Sequence, residues 1–392
     1  VSGNSNEILK TVGLFTDSFP PMIDGVATVV KNYATQIQGL GIPVCVIAPS
    51  DKVIENEQFT VLRYRSRPLF LRKPYRYGIP LLNRNLYKQL EINNLGIIHA
   101  HSPFFAGKIA LTIAKKNNIP IIASFHTKFK DNFEQIISSK FIVNQLIKKI
   151  ISFYYQADEV WIPQASVEQT IREYGYKGQV EVVENGCDFS PPIDINIQKN
   201  SVREKLGILP EEMLYLFVGQ IIYEKNIELI INALEKIKHT NFKMVFAGAG
   251  YAEKTFQKKV KSLNISDKVQ FVGLITDRQH LADLYAAADL FIFPSLYDTS
   301  AIVVREAATF ATPSIIIRNS MVSEIIHDNE NGFLIENSVL SLAEKLLFLQ
   351  NEKDNLLQVG KAAQATFNRT WTEVTAEVTD RYASLIKRKK IR

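Results

Sequence analysis

Short apolar runs alternate with longer amphipathic stretches along nearly the whole chain. TVGLFTD (11–17) is apolar at successive positions and bounded by turn residues, the signature of a buried strand. After FPPMIDG, the segment VATVVKNYATQIQGL has helical spacing. IPVCVIAP, FTVLRY, GIIHA, IPIIASF, EVWIP and VEVVE read as further strands, most of them separated by helical segments. Strands apolar on both faces that alternate with helices imply a parallel sheet covered on both sides. Near residue 189 the pattern breaks in FSPPIDINIQKNS, which has two prolines and no periodicity. A second set follows: LYLFVG, NIELIINALEKIK, FKMVFAG, AEKTFQKKVKSLN, KVQFVG, RQHLADLYAAA, DLFIFP, TPSIIIR and GFLIE. The chain closes on a long helix, TEVTAEVTDRYASLIKRKK, after Trp371. The expected fold class is therefore α/β, with two doubly wound Rossmann-like domains facing each other across a cleft, residues 1–188 and 189–368. Ligands of such sheets bind outside the carboxyl ends of the strands, which directs attention to the loops after TVGLF, LYLFV and DLFIF.

Composition narrows the class. The 392 residues suffice for two domains, and 46% apolar with 22% charged residues is the balance of a soluble globular protein. No apolar run reaches the roughly 18 residues that span a bilayer, and VSGNSNEILK lacks the apolar region of a signal peptide. Cys45 and Cys187 are too far apart to suggest a disulfide framework or a zinc site, so a cytoplasmic location is expected. The net charge of +6 favours anionic partners without choosing among them. Gly25 after the first strand, and Gly248 with Gly250 in FAGAGY, fall short of a dinucleotide fingerprint, so nicotinamide chemistry is not expected.

The stretch SLYDTSAIVVREAATFATPS carries the sharpest chemical signal, because Asp298 precedes a helix start and Glu306 lies two turns inside it. Eight residues of helix separate the carboxylates by on the order of 10 Å. Between them lie the first-turn amides of Ser300, Ala301, Ile302 and Val303, an anion site. A nucleotide sugar has a matching layout of diol, diphosphate and sugar hydroxyls. Helix capping by Asp298, Thr299 and Ser300 accounts for the same residues. Lys225, just before the apparent N-cap Asn226, places a cation against a helix dipole, a conflict that a bound phosphate would remove.

FTDSFPPMIDGVATVV, HAHSPFFAGKIALTIAKKNNIPIIASFHT, VENGCDF, VGQIIYEKN, FAGAGY, VQFVG, PSLYDTSAIVVREAATFATPSIII and SEIIHDNENGFL together resemble the retaining, GT-B-fold glycosyltransferases of family GT4, in the family's order and from about Val12 to Tyr382. The resemblance implies that helix 369–392 packs back on the first domain, which takes the acceptor, while the second holds a nucleotide sugar, by default UDP-glucose. It assigns Glu306 to the ribose hydroxyls, Asp298 to the donor sugar and Lys225 to the diphosphate. Gly219, Gln220, Thr299, Ser300, Ala301 and Ile302 complete the donor set. Gly25 would allow close approach of its loop to the substrates, and His126 would sit near the transferred sugar. His101 and Phe104 would line the acceptor side, His99 and His101 being structural rather than a metal pair. No cofactor or catalytic metal is expected. The chain departs from the family pattern at Gln220, usually arginine; at Asp298, usually glutamate; and at Ala301 and Ala311, usually glycines.

The first half looks most like the diacylglycerol glucosyltransferases, with a lipid or glycan as acceptor. RYRSRPLFLRKPYRYG interleaves six basic residues with Tyr64, Phe70, Tyr75 and Tyr77, which would serve nucleic acid but also suits an anionic membrane surface. SSKFIVNQLIKKIISFYYQ puts Val143, Leu146, Ile147, Ile150 and Tyr154 on one helix face, for a membrane or for the core. The expected enzyme is a cytoplasmic hexosyltransferase, peripheral on the inner membrane face. A non-catalytic partner subunit and a sugar-nucleotide epimerase are the alternatives; nucleic acid is not an expected partner.

Overall fold

The computed structural model describes residues 10–22, 24–51, 56–69, 76–79, 84–190, 195–300 and 302–391. They form two compact units, Val1–Gly186 with Thr370–Arg392, and Cys187–Arg369.

The first unit contains β1 (Thr11–Phe15), β2 (Val44–Pro49), β3 (Thr60–Tyr64), β4 (Ser66–Pro68), β5 (Arg76–Gly78), β6 (Leu95–Ala100), β7 (Ile121–Ser124), β8 (Glu159–Ile162) and β9 (Glu181–Val182). Its helices are α1 (Gly25–Gly39), α2 (Arg84–Ile92), α3 (Phe105–Asn117), α4 (Phe129–Glu134), α5 (Lys140–Tyr154) and α6 (Val167–Glu173). The sheet is parallel in the order β3-β2-β1-β6-β7-β8-β9, and β4 and β5 form a separate antiparallel pair. Every residue of β2 is buried, as a strand covered on both faces requires.

The second unit contains β10 (Met213–Val218), β11 (Phe242–Ala247), β12 (Val269–Gly273), β13 (Leu290–Phe293), β14 (Ser314–Ile317) and β15 (Phe333–Ile335). Its helices are α7 (Ile195–Lys205), α8 (Ile227–Lys236), α9 (Glu253–Ser262), α10 (Arg278–Ala287), α11 (Ile302–Thr309), α12 (Val339–Gln350) and α13 (Lys353–Thr366). The parallel order β12-β11-β10-β13-β14-β15 is the doubly wound one. In both sheets the winding reverses next to the first strand of the unit, between β1 and β6 and between β10 and β13. In doubly wound sheets ligands bind in a crevice at the carboxyl ends of the strands beside such a reversal.

The last helix, α14 (Trp371–Ile391), belongs to the first unit and packs against α1. Trp371, Val374, Val378 and Tyr382 recur at helical spacing and are all buried. Each such side chain contributes about 1.5–3 kcal/mol of burial. Tyr382 stacks on Trp161 with ring centroids 5.8 Å apart.

One segment corrects the sequence reading. Residues 195–201, read as part of an aperiodic segment, belong to helix α7. Val202 joins the core of the unit, and polar contacts anchor the helix as well. Asp289 accepts hydrogen bonds from Lys199 Nζ at 2.6 Å and Arg203 Nη1 at 2.8 Å, and Arg203 also donates to the carbonyls of Ala287, Leu209 and Glu212.

Candidate active site

In the second unit, the loops leaving β10 and β13 flank the point where the winding reverses, and Lys225 and Asp298 lie on them. Lys225 ends a single 3-10 turn, Tyr223–Lys225, and its Nζ donates to Asp298 Oδ1 at 2.6 Å and Oδ2 at 2.7 Å. The ammonium also sits 5.5 Å from the centroid of the Phe293 ring. Asp298 therefore relieves the clash between Lys225 and the dipole of α8, a task the sequence reading gave to a bound phosphate. Asn226 adopts the left-handed conformation at φ 56° and does not cap α8 with its side chain. Its Nδ2 instead donates to the Pro294 carbonyl at 3.3 Å and Asn337 Oδ1 at 3.0 Å. The positive end of α8 is thus left without a side-chain cap beside a lysine.

Gly219 and Gln220 lie in the same loop, both partly buried. A Cβ on Gly248, whose φ is +145°, would come within 1.8 Å of the Gly219 carbonyl oxygen, and one on Gly250 within 2.2 Å of that of Ile221. The glycines of FAGAGY let two loops pack backbone on backbone at the crevice, a role unrelated to binding a dinucleotide.

Glu306 has other partners than that ion pair. It projects from α11 and is 3% exposed. Its Oε2 accepts the hydroxyl of Tyr285 at 2.8 Å and its Oε1 accepts Arg278 Nη2 at 3.0 Å. Arg278 pairs with Asp188 as well and lies 3.9 Å from the centroid of the Phe189 ring. Burial raises the carboxyl of Glu306 above the usual range, opposed by the guanidinium of Arg278. Sequence reasoning missed Arg278, Tyr285 and Asp188. A signal existed only in the seven-residue spacing that puts Arg278 and Tyr285 on one face of α10. Thr299 is buried and Ser300 partly so. The Ile302 amide donates to the Ser300 carbonyl at 3.1 Å, so it is not among the open amides expected at this helix start. Ala301 lies outside the described residues. Ala311 has φ +52°, the left-handed region in which glycine carries no penalty.

In the first unit the expected residues gather at the ends of β1, β6 and β7. His101 Nδ1 lies 3.1 Å from His126 Nε2, with the two rings nearly parallel. His99 is fully buried between the Tyr382 hydroxyl, 2.6 Å from Nδ1, and the Ser124 hydroxyl, 2.7 Å from Nε2. Burial pushes His126 down to about 4 and holds His99 and His101 well below their usual range, so all three are neutral at pH 7. Asp17, at the end of β1, accepts from the Tyr64 hydroxyl at 2.6 Å and from the Ala106 amide at the start of α3. Desolvation raises it to about 6. Tyr64 is consequently core, not one of the surface aromatics in the basic stretch. Arg63 and Arg76 of that stretch are tied to Pro20 and Ser66, while Phe70 and Tyr75 lie outside the described residues. Phe104 is exposed and touches Phe129 and Phe133 edge-on.

Gly25 opens α1, whose N-cap Asp24 accepts from the Ala27 amide at 2.8 Å. A Cβ on Gly25 would meet nothing within 4 Å, and its φ is not positive. The close approach that the resemblance assigns to this glycine is therefore not demanded by the chain's own packing. Gly25→Ala is expected to leave stability unchanged or up to about 1 kcal/mol higher. If Gly25 approaches the substrates as the resemblance implies, the variant should nonetheless reduce turnover at least tenfold, because the methyl group would meet substrate. Thermal unfolding and steady-state kinetics on the same sample separate the two effects, and an unimpaired variant would remove Gly25 from the site.

Residues 23–190 match the model of glycosyltransferase family 4, and residues 198–366 match that of the glycosyl transferases group 1. The chain belongs to the family 4 glycosyltransferases. This glycosyltransferase is 29% identical over 333 residues to the α-monoglucosyldiacylglycerol synthase of Streptococcus pneumoniae, covering 82% of this chain and 74% of that one. It is 23% identical to the Acholeplasma laidlawii enzyme of the same name, over 93% of this chain and 94% of that one. The sucrose-phosphate synthase of Thermosynechococcus elongatus shares the GT-B fold, with a TM-score of 0.80, 19% identity, and coverage of 97% and 100%.

Proposed function

We propose that this glycosyltransferase moves glucose from UDP-glucose to diacylglycerol at the inner face of a membrane, with retention of anomeric configuration. The observation that carries the reading is Lys225 beside the uncapped start of α8, at the switch point of a doubly wound sheet. A helix start with an adjacent ammonium is suited to a diphosphate. In the proposed reaction the bond between the anomeric carbon and the diphosphate oxygen breaks and Lys225 takes up the leaving-group charge. The acceptor hydroxyl attacks the same face of the sugar, and the departing diphosphate takes its proton. The residues so assigned supply positioning and charge without a bound metal.

Two relatives named α-monoglucosyldiacylglycerol synthases support the acceptor. On α5 the stripe Val143, Ile147, Ile150 and Tyr154 is buried in the unit, but Phe141 and Ile142 at its start remain exposed, as does Ile136 before it. Lys140, Lys148 and Lys149 are exposed on the same helix. An apolar tip flanked by lysines suits an anionic bilayer. Among the described residues no helix is long and apolar enough to cross a membrane.

The test is to incubate the protein with UDP-glucose in EDTA, with and without diacylglycerol in anionic vesicles, and to follow UDP and glycolipid by mass spectrometry. Lipid-dependent UDP release with a hexosyl-diacylglycerol product is expected, and Glu306→Ala should lower it at least a hundredfold. UDP release indifferent to the lipid would refute the acceptor assignment, and no turnover would refute the donor.

A further inference from the structure

Glu306 is held from two sides by one helix. A carboxylate has about four lone-pair sites, two on each oxygen. Tyr285 occupies one on Oε2 and Arg278 one on Oε1. Both partners are held in place, Arg278 although its side chain is 44% exposed. Tyr285 is fully buried, its ring parallel to that of Phe310 and edge-on to Phe291. Arg278 is clamped between the carboxylates of Asp188 and Glu306 with its guanidinium over Phe189.

We infer that Arg278 is a positioning residue for Glu306: with Tyr285 it fixes the carboxylate so that one lone pair on each oxygen is left for the two hydroxyls of a vicinal diol. The inference rests on the reading of Glu306 as the acid that binds the nucleoside ribose. It adds a residue that acts through that acid without touching the donor. The electrostatics agree, since burial favours the neutral carboxyl and Arg278 opposes it more than any other group. Asp188, on the segment before α7, works in the opposite direction. The Cys187 thiol, also near Glu306, is itself pushed up to about 11 by burial. Tyr285 stays protonated because its hydroxyl is raised well above the usual range. Removal of Arg278 therefore leaves a buried acid beside Asp188 without the group that most offsets its burial, and Glu306 takes up a proton at higher pH.

The experiment is calorimetric titration of the full-length protein with UDP, GDP and ADP, continued with the tightest binder and its 2′,3′-dideoxy counterpart. Wild type is expected to prefer the diol-bearing nucleotide by about tenfold or more, in the range of a charge-assisted hydrogen-bond pair. Arg278→Met should abolish most of that preference while leaving dideoxynucleotide affinity within about threefold. Its affinity for the diol form should fall further as pH is lowered from 8 to 6. Arg278→Lys should restore part of the preference and, with an unchanged thermal midpoint, exclude a folding defect. Equal losses for both nucleotides in Arg278→Met would mean that Arg278 contacts donor directly, and would overturn the inference. A wild type that binds both forms equally, or binds none of the nucleotides, would overturn the ribose assignment of Glu306 itself and the inference with it.

Discussion

Replacing Lys225 with methionine is expected to lower kcat/KM for the nucleotide sugar by about two to three orders of magnitude, the loss of about 3–4 kcal/mol of leaving-group stabilisation. Methionine keeps the length and apolar body of the side chain, so its contact with Phe293 survives while the charge is lost. The stability cost should be about 1–3 kcal/mol, because Asp298 would lose both charge-assisted hydrogen bonds in a setting where the pair is only 15% and 24% exposed. The reciprocal substitution separates binding from chemistry. If Asp298 neutralises Lys225 until the donor arrives, Asp298→Asn should bind free nucleoside diphosphate more tightly, by about threefold to thirtyfold. It should process the nucleotide sugar more slowly, having lost a carboxylate for the sugar hydroxyls. Titration with UDP alongside steady-state kinetics measures both. A Lys225→Met enzyme within tenfold of wild type would show that the diphosphate charge is met elsewhere.

How far the molecule was legible in advance depended on whether an element is anchored by apolar periodicity or by distant polar partners. The strands TVGLF, LYLFV and DLFIF are buried on both faces, so each is a continuous apolar run that declares itself. Helix α7 does not, because Asp289 and backbone carbonyls from other elements hold it by its lysine and arginine. Local pattern carries no trace of an anchor that lies 90 residues away. The site divides in the same manner. Lys225, Asp298 and Glu306 sit in motifs at or just inside helix starts that follow strands, whereas Arg278 and Tyr285 matter only because α10 packs beside α11. Interleaved arginines and tyrosines in 63–78 suggested a surface; Arg65, Arg67 and Tyr77 are exposed, but Tyr64 is buried against Asp17 and Arg63 is tied to the carbonyl of Pro20. Arginine and tyrosine are amphipathic, and sequence alone does not say which end a fold will use. Ala311, noted as departing from the family's glycine, proves to occupy a left-handed position, so the usual preference there has a backbone cause.

Acid should unfold the first unit early, and the histidine group sets where. His126 falls from its usual 6.5 to about 4 in the folded chain, and His99 and His101 are shifted in the same direction. In this range the unfolded chain binds more protons than the folded one, so stability is full above about 6.5 and falls as pH drops towards 4. His126 alone corresponds to about 3 kcal/mol over that window at 1.36 kcal/mol per pH unit. Asp17 runs the other way. Its carboxyl rises from 3.8 to about 6, so the folded chain binds the extra proton, and its contribution is full below 3.8 and lost as pH rises through 6. Asp17 and His126 therefore offset each other to about 1 kcal/mol, and the net slope comes from His99 and His101. The chain's two tryptophans, Trp161 and Trp371, are both buried in this unit, so their fluorescence in urea reports its unfolding separately from the other unit. The urea midpoint should fall steadily from pH 7 to pH 5. His101→Asn should flatten that dependence, and Asp17→Asn, which removes the opposing group, should steepen it. A wild-type midpoint independent of pH over this range would mean that the histidines are not held neutral by the fold.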